Sequence, residues 1–383
     1  MSFITNIRSV AKYESKILVR SWFFRIFTLL AVVFLGFFNF AMMLMEDNFG
    51  LWFAKSVSSN IPYLNLLLLN TGQAVVAVFL SSEFLKRDKK LDTSEVFYVR
   101  PLSNAEYVIG KIWGNLRVFL LLNLLVLAIV LAFNFMASGI TVDWQAYGVY
   151  FLLISLPTLI FIIGLSIFLM LVLRNQALTF ILLLGYIGLT LFYIQDKFYY
   201  LFDYMVYNLP LFKSTIVGFS SLELILNHRA IYFFAGLGFI FFTIFLFKRL
   251  PNARRSHYPW LFLSLCMFLL AGTAGYRHVR SILREGEIRA LYTSINNKYV
   301  HEPKIAIDWY DISVEQKPET ICSVVGMKGT ALATSEIFTF CLNPGLKVGE
   351  VKEGEKPLDF KREEQILAVD FGRKIEKGDT ISL

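Results

Sequence analysis

Seven apolar stretches, near residues 26 to 45, 62 to 83, 117 to 137, 147 to 173, 177 to 194, 230 to 247 and 259 to 276, constrain this chain more than any motif in it. Each approaches or exceeds the roughly 20 residues that a helix needs to cross a hydrocarbon core. A content of 56% hydrophobic and 17% charged residues departs in the same direction from the soluble average, in which about a quarter of residues are charged. The sequence therefore predicts an α-helical integral membrane protein of about seven transmembrane helices. The first stretch follows a basic lead and has no small-x-small cleavage pattern, so it reads as a retained helix rather than a removed signal peptide.

Lys and Arg in short loops resist translocation, whereas acidic residues count for little. Arg8, Lys12, Lys16, Arg20 and Arg25 precede the first stretch, and Lys86, Arg87, Lys89, Lys90, Arg100 and Lys111 lie between the second and third. Arg174 follows the fourth, and Lys248, Arg249, Arg254 and Arg255 follow the sixth. The loop from Glu46 to Ile61 has only Lys55, and the one around Ser138 to Gln145 has no basic residue. The alternation places the N-terminus in the cytoplasm and, after an odd seventh crossing, the tail from about Arg277 outside. Residues 301 to 383 hold 11 Lys and Arg against 15 Asp and Glu, leaving 26 against 14 for residues 1 to 300. The basic character belongs to the membrane part, and a nucleic-acid partner, which would need a basic soluble surface, is not expected.

Residues 1 to 25 interleave Ile4, Ile7, Val10, Ala11, Ile17 and Leu18 with Arg8, Lys12, Lys16 and Arg20, the pattern of an amphipathic helix lying at the inner interface. The membrane domain then runs from 26 to 276, with a linker expected over 277 to 302. Asn70, Gln73, Ala77 and Ser81 fall at intervals of three and four, so polar or small groups share one helical face, and Asn123 and Asn134 share another. Unpaired polar groups are costly in hydrocarbon, so these faces either hydrogen-bond between helices or line a pathway; Asn70, Gln73, Ser81, Asn123 and Asn134 are the pathway candidates. Arg117 is placed to snorkel toward headgroups at the edge of the third stretch. Pro157 and Gly164 are expected to bend the fourth stretch. Aromatics from Phe198 to Tyr207 form an expected outer belt. No Asp, Glu, Lys or Arg stands at the centre of a stretch, which argues against a carrier built on a buried charge relay. The chain also lacks a GxxxxGK[ST] phosphate loop.

From Pro303 the apolar period changes to two, at Ile305 and Ile307, Ile312 and Val314, Phe338, Phe340 and Leu342, and Leu367, Val369 and Phe371. Turn signals at Asn343-Pro344-Gly345 and Lys377-Gly378-Asp379 separate them, predicting an extracytoplasmic antiparallel β-sandwich-like domain over 303 to 383. Cys322 and Cys341 fall on candidate strands, and their spacing leaves a disulfide open. His228, His257, His278 and His301 are scattered over loops and boundaries, as solvated or capping residues would be.

The charged loop after the second stretch runs from Glu83 through Lys86, Arg87, Asp88, Lys89, Lys90, Asp92, Thr93 and Ser94 to Arg100, Pro101, Leu102, Ser103, Asn104, Glu106, Tyr107, Gly110 and Lys111. That order resembles the cytoplasmic loop of ABC-2 type permeases over roughly residues 1 to 250, although Asp92 stands where the family usually has Gly. The resemblance implies a permease subunit in the inner membrane, homodimeric or heterodimeric, moving substrate when a separate cytoplasmic ATPase binds ATP. Lys86, Arg87, Thr93, Arg100, Pro101, Leu102, Ser103, Tyr107 and Lys111 would then form the ATPase-coupling contact, and this chain itself would carry no catalytic residue and no cofactor. It also implies short re-entrant helices between the fifth and sixth crossings, for which Leu211 to Leu226 is long enough. The run from Phe338 to Ile381 looks like the N-terminal β-domain of aminopeptidase N-type zinc peptidases, some of which are fused to such permeases. The HExxH zinc motif is absent, since His301-Glu302-Pro303-Lys304-Ile305 lacks the second His. Two further readings stay open: a membrane anchor of a zinc peptidase whose catalytic domain is elsewhere, and a sensor with an outer ligand-binding domain. The tail reads either as a truncated domain or as a module working alone.

Overall fold

The computed structural model describes residues 3–44, 57–90, 102–136, 141–194, 196–211, 213–214, 218–219, 221–247, 258–316 and 320–383, the side chains of 82–90 excepted. Contacts divide the chain into two compact units, Met1–Ser281 and Ile282–Leu383.

The first unit is helical: α1 Phe3–Arg20, α2 Trp22–Leu44, α3 Asn60–Lys90, α4 Asn104–Met136, α5 Trp144–Tyr150, α6 Leu156–Leu173, α7 Gln176–Leu189, α8 Leu222–Leu246 and the start of α9, Tyr258–Lys298. Wide π turns at Phe151–Ser155 and Thr190–Ile194 join α5 to α6 and extend α7. Counting α5 to α6 as one, seven of these segments are long and apolar enough to cross a membrane, one for each apolar stretch of the sequence. Their polarity is inside out. Asn65, Asn70, Gln73, Asn123, Ser155 and His228 are fully buried, while Leu29, Leu30, Val33, Phe34, Phe37, Leu121, Ile181, Phe192 and Leu269 face outward.

Helix α1 packs on α4 through a mixed face, Asn6, Ala11, Glu14, Ser15 and Leu18, and leaves Arg8, Lys12, Lys16 and Arg20 exposed together with Ile4 and Val19. The approach is close because α4 offers two glycines: a Cβ on Gly110 would meet Val10 Cβ at 2.7 Å, and one on Gly114 would meet Ala11 O at 2.9 Å. Arg117 does not reach away from the protein as a snorkelling residue would; it bonds Ser15 Oγ and Ala11 O on α1.

In the second unit β1 Ile305–Gln316, β2 Ile321–Ala331 and β8 Thr380–Ser382 form one antiparallel sheet, and β3 Ser335–Cys341, β6 Asp359–Glu363 and β7 Ile366–Ile375 another. β4 Lys352–Glu353 and β5 Lys356–Pro357 make a small hairpin. Phe338, Val369, Phe371, Ile375 and Ile381 fill the core, with Phe338 and Phe371 edge to face at 5.7 Å. Cys322 and Cys341 are both free and exposed, so no disulfide joins these strands. The expected linker over 277 to 302 is instead helical as far as Lys298. Its last turns carry their own tertiary bonds, since Tyr292 O accepts from Gln365 Nε2 and Lys298 pairs with Glu363 at 2.9 Å.

Candidate functional site

Three polar clusters inside the helical unit are the places where this sequence could do more than pack. The first lies between α3, α4 and the π turn. Asn70 Nδ2 donates to Ser155 Oγ at 3.2 Å, and Ser155 Oγ donates to Asn123 Oδ1 at 2.7 Å. Asn123 Nδ2 donates to Gln73 Oε1 at 2.8 Å, and Gln73 Nε2 donates to Asn70 Oδ1 at 2.5 Å. Four pathway and neighbouring residues thus close a ring in which each side chain both gives and accepts. Ser81 and Asn134 stay out of it, the former bonding Ala77 O one turn back and the latter Tyr147 OH at 3.3 Å. A second amide pair, Asn39 with Asn65, is reciprocal at 2.7 and 3.0 Å. Replacing Asn123 with Leu removes two ring bonds, leaving Gln73 Oε1 without its donor and the Ser155 hydroxyl hydrogen without its acceptor in an apolar interior. The expected loss is about 1–3 kcal/mol, read as reduced thermal stability in detergent; unaltered stability would show that the ring is dispensable.

The second cluster surrounds Arg229. Pro157 has no N–H to give to the carbonyl of Leu153, four residues earlier, and its ring crowds that carbonyl. The helix responds with the π turn, where Leu156 N–H donates to Phe151 O. The freed Leu153 O accepts from Arg229 Nε at 2.6 Å, and the same guanidinium reaches Tyr204 O at 2.9 Å, Thr158 Oγ1 at 2.8 Å and Ile154 O at 3.4 Å. Arg229 is only 2% exposed. Because α8 starts at Leu222 rather than near 230, Arg229 lies inside one of the seven apolar helices, in its N-terminal third rather than at its centre.

The third cluster adjoins it. Phe198, Tyr199 and Tyr200 take φ values of 51°, 59° and 61°, a left-handed turn that costs non-glycine residues about 1–2 kcal/mol each. Its carbonyls are claimed from behind: Tyr199 O by His278 Nε2 at 2.8 Å, Tyr200 O by His228 Nε2 at 3.0 Å and Leu201 O by Tyr232 OH. The two imidazoles are fully buried with ring centres 5.0 Å apart, contrary to the solvated or capping roles expected of scattered histidines. With Nε2–H facing a carbonyl, each ring leaves its Nδ1 without a partner. In the same loop Asp203 caps the backbone N–H groups of Tyr207 and Asn208 at 3.0 and 2.9 Å.

Burial pushes the Asp203 carboxyl above the usual carboxylate range, against the pull of those N–H groups and of Arg229. The native state therefore binds this proton more tightly than the unfolded chain. The stabilising contribution is full below the ordinary carboxylate value and is lost as pH rises to the native one. Asp203→Asn should flatten that decline in a series of melts from acid to neutral pH, and identical pH slopes in both proteins would refute it.

At the opposite end of α4 the charged loop enters the helix through a capping box. Glu106 N donates to Ser103 Oγ at 3.1 Å and Ser103 N to Glu106 Oε2 at 2.6 Å. Asn6 Nδ2 on α1 holds Glu106 Oε1 at 2.9 Å, and Lys111 meets Glu14 of α1 at 3.4 Å with both side chains 4% exposed. Tyr107 stacks on Phe247, 5.4 Å between ring centres, and Asn104 Nδ2 donates to Phe247 O at the end of α8. Of the expected coupling residues the structure thus brings Ser103, Tyr107 and Lys111 into one joint and leaves Leu102 part-exposed beside it. Thr93, Arg100 and Pro101, and the side chains of Lys86 and Arg87, lie outside the described residues.

No protein-family profile and no curated protein sequence matches this chain. Among the described residues no three His, Cys, Asp or Glu side chains gather as a metal site. The re-entrant helix expected between Leu211 and Leu226 does not appear among the described residues, where Ser214 and Gly218 pair in an isolated bridge. In the ring the amide and hydroxyl groups are spent on one another. What the clusters do is fix helices: the ring ties α3 to α4 and the π turn, and Arg229 ties α8 to the π turn, to Thr158 on α6 and to the loop at Tyr204.

Proposed function

We propose that this chain is the membrane-spanning permease subunit of an ATP-driven transporter, an exporter that works with a separate cytoplasmic ATPase. The inside-out polarity of the helical unit supports insertion as a multi-pass protein: apolar surface of this extent is unfavourable in water and neutral in lipid. The basic loops favour a cytoplasmic N-terminus and an extracytoplasmic β unit. The single observation that carries the coupling role is the joint at the head of α4. A helix capped by Ser103 and Glu106, bolted to α1 through Asn6 and Glu14 and to α8 through Phe247, turns a push on the preceding charged loop into movement of three helices rather than bending of one. Interfacial contacts of that loop, with Arg100, Pro101 and Leu102 at its end, would receive the push.

Purification of the tagged full chain from its native membrane in mild detergent tests the proposal. A stoichiometric subunit bearing a phosphate-binding loop is expected, and ATP-driven transport should fall to background when 88–104 is deleted while membrane insertion persists. Recovery of a zinc peptidase without any ATPase would overturn the permease reading in favour of a membrane anchor.

A further inference from the structure

The core-facing side of the β1–β2 pair does not end where the core ends. Directly opposed residues of an antiparallel pair share a face, and the register puts Ile305 with Ala331 against the core of the second unit. β1 takes up one extra residue at Asp308, while β2 alternates without a break. Past the bulge the same face therefore continues as Tyr310 with Met327, Ile312 with Val325, Val314 with Ser323 and Gln316 with Ile321. Tyr310, Ile312, Val314 and Ile321 are each more than half exposed, and Val325 is exposed beside them.

Nothing in the unit lies over that extension. Its core cluster reaches Ala331 and Ile305 and stops there. β8 pairs with β2 only over Lys328 to Thr330, with Leu383 bonding Met327 at 2.9 Å, and among the described residues no strand pairs with the outer edge of β1. Residues 310–316 and 321–326 thus form a two-stranded ribbon with an apolar face, and such a ribbon is marginal in water by itself. What it lacks is the second layer of a sandwich.

The exposed face carries no charged residue, whereas the reverse face holds Asp311, Ser313, Glu315 and Lys328, so the occupant is itself uncharged over this area. A lipid surface fits poorly: residues 301–383 carry 15 acidic against 11 basic side chains, and the open edges of a ribbon are costly in hydrocarbon. We infer that the occupant is the same face of a second copy of this chain, the two ribbons stacking about a two-fold axis at the roughly 10 Å spacing of packed sheets. A two-fold contact needs a patch that complements itself, which a neutral apolar face does and a charged one does not. Tyr310, Ile312, Val314, Ile321, Val325 and Met327 of both copies would together bury on the order of 1,000 Å², the lower end of what specific association requires. Each ribbon then supplies the other's missing layer, and both reverse faces stay in water.

Double electron–electron resonance on the full chain in detergent tests this, with a nitroxide on Cys322, exposed on the reverse face, after Cys266→Ser and Cys341→Ser. An interchain distance of roughly 20–35 Å is expected, one sheet spacing plus the ribbon offset and the label arms. Val314→Glu should weaken the association about tenfold, because the two-fold sets like charges against one another. Ser313→Glu, the same charge one residue away on the reverse face, should leave it unchanged. Position 314 is exposed in the single chain, so its Glu leaves the melt of that chain unaltered, and Ile312→Lys, of opposite sign, should act as Val314→Glu does. Absence of an interchain distance in the parent protein would overturn the assignment. A distance that survives both Val314→Glu and Ile312→Lys would overturn it too, since the copies would then meet elsewhere, and so would an equal loss from Ser313→Glu, since charge rather than this face would then decide.

Discussion

Arg229→Met is expected to be among the most damaging single substitutions in the chain, lowering stability by about 3–5 kcal/mol, as removal of one member of a buried charged network does. Its guanidinium serves Leu153 O, Ile154 O, Tyr204 O and Thr158 Oγ1 at once, and Ile154, Tyr204 and Thr158 are fully buried. The loss should spread to the left-handed turn at Phe198–Tyr200, because Tyr204 O and the Asp203 carboxylate lose their cation together. Arg229→Lys keeps the charge but not the planar fork and should recover only part of the stability, since three donors on one nitrogen cannot reach all four acceptors that the guanidinium spans. The measurement is the melting of each purified variant in one detergent. If Met melts with wild type, the clamp is ornamental and the π turn is stable without it.

The seven membrane-length segments were legible because an unbroken apolar run is a local property of the sequence. The polar faces of α3 and α4 were legible for the same reason: Asn70, Gln73 and Asn123 repeat at helical spacing. The closing partner Ser155 was not, since an isolated serine in an apolar run has no periodicity to announce it. Arg229 was misplaced by its position. Standing just before the hydropathy maximum of the sixth stretch, it reads as the edge of a span, and only the helix start at Leu222 puts it inside. A signal for it did exist in Pro157, which must release the Leu153 carbonyl to some donor. The pairing of His228 with His278 spans 50 residues of sequence separation and leaves no local trace. The capping box Ser103-x-x-Glu106 was a local signal, present in plain sight within the charged loop. The break expected at 277 followed hydropathy rather than helix propensity: Arg280, Leu283, Arg284, Glu285 and Ala290 are good helix formers that continue α9 past the end of the apolar stretch.

Gly236→Val should damage the fold as severely as loss of Arg229, by a different route. Helices α6 and α8 cross at a pair of glycines, where a Cβ on Gly236 would stand 2.7 Å from Phe161 N and 2.8 Å from Ile160 C, and one on Gly164 would stand 2.7 Å from Gly236 O. The atoms met are backbone, so no rotamer change relieves the contact and the helices must separate. Overpacking in a well-filled interior costs about 1–3 kcal/mol when side chains can yield, and the upper end or beyond applies where they cannot. Separation would also withdraw Arg229 on α8 from the carbonyls before α6, so the two failures compound. Gly188 on α7 is the internal control, because a Cβ there meets nothing within 4 Å. Gly188→Ala should be neutral or stabilising by about 0.5–1 kcal/mol through helix propensity alone. Melting and monodispersity of the three proteins separate the cases: a loss at 236 with none at 188 identifies the crossing as the tight contact of the bundle, whereas equal effects would mean that helix propensity, not close approach, decides what these positions tolerate.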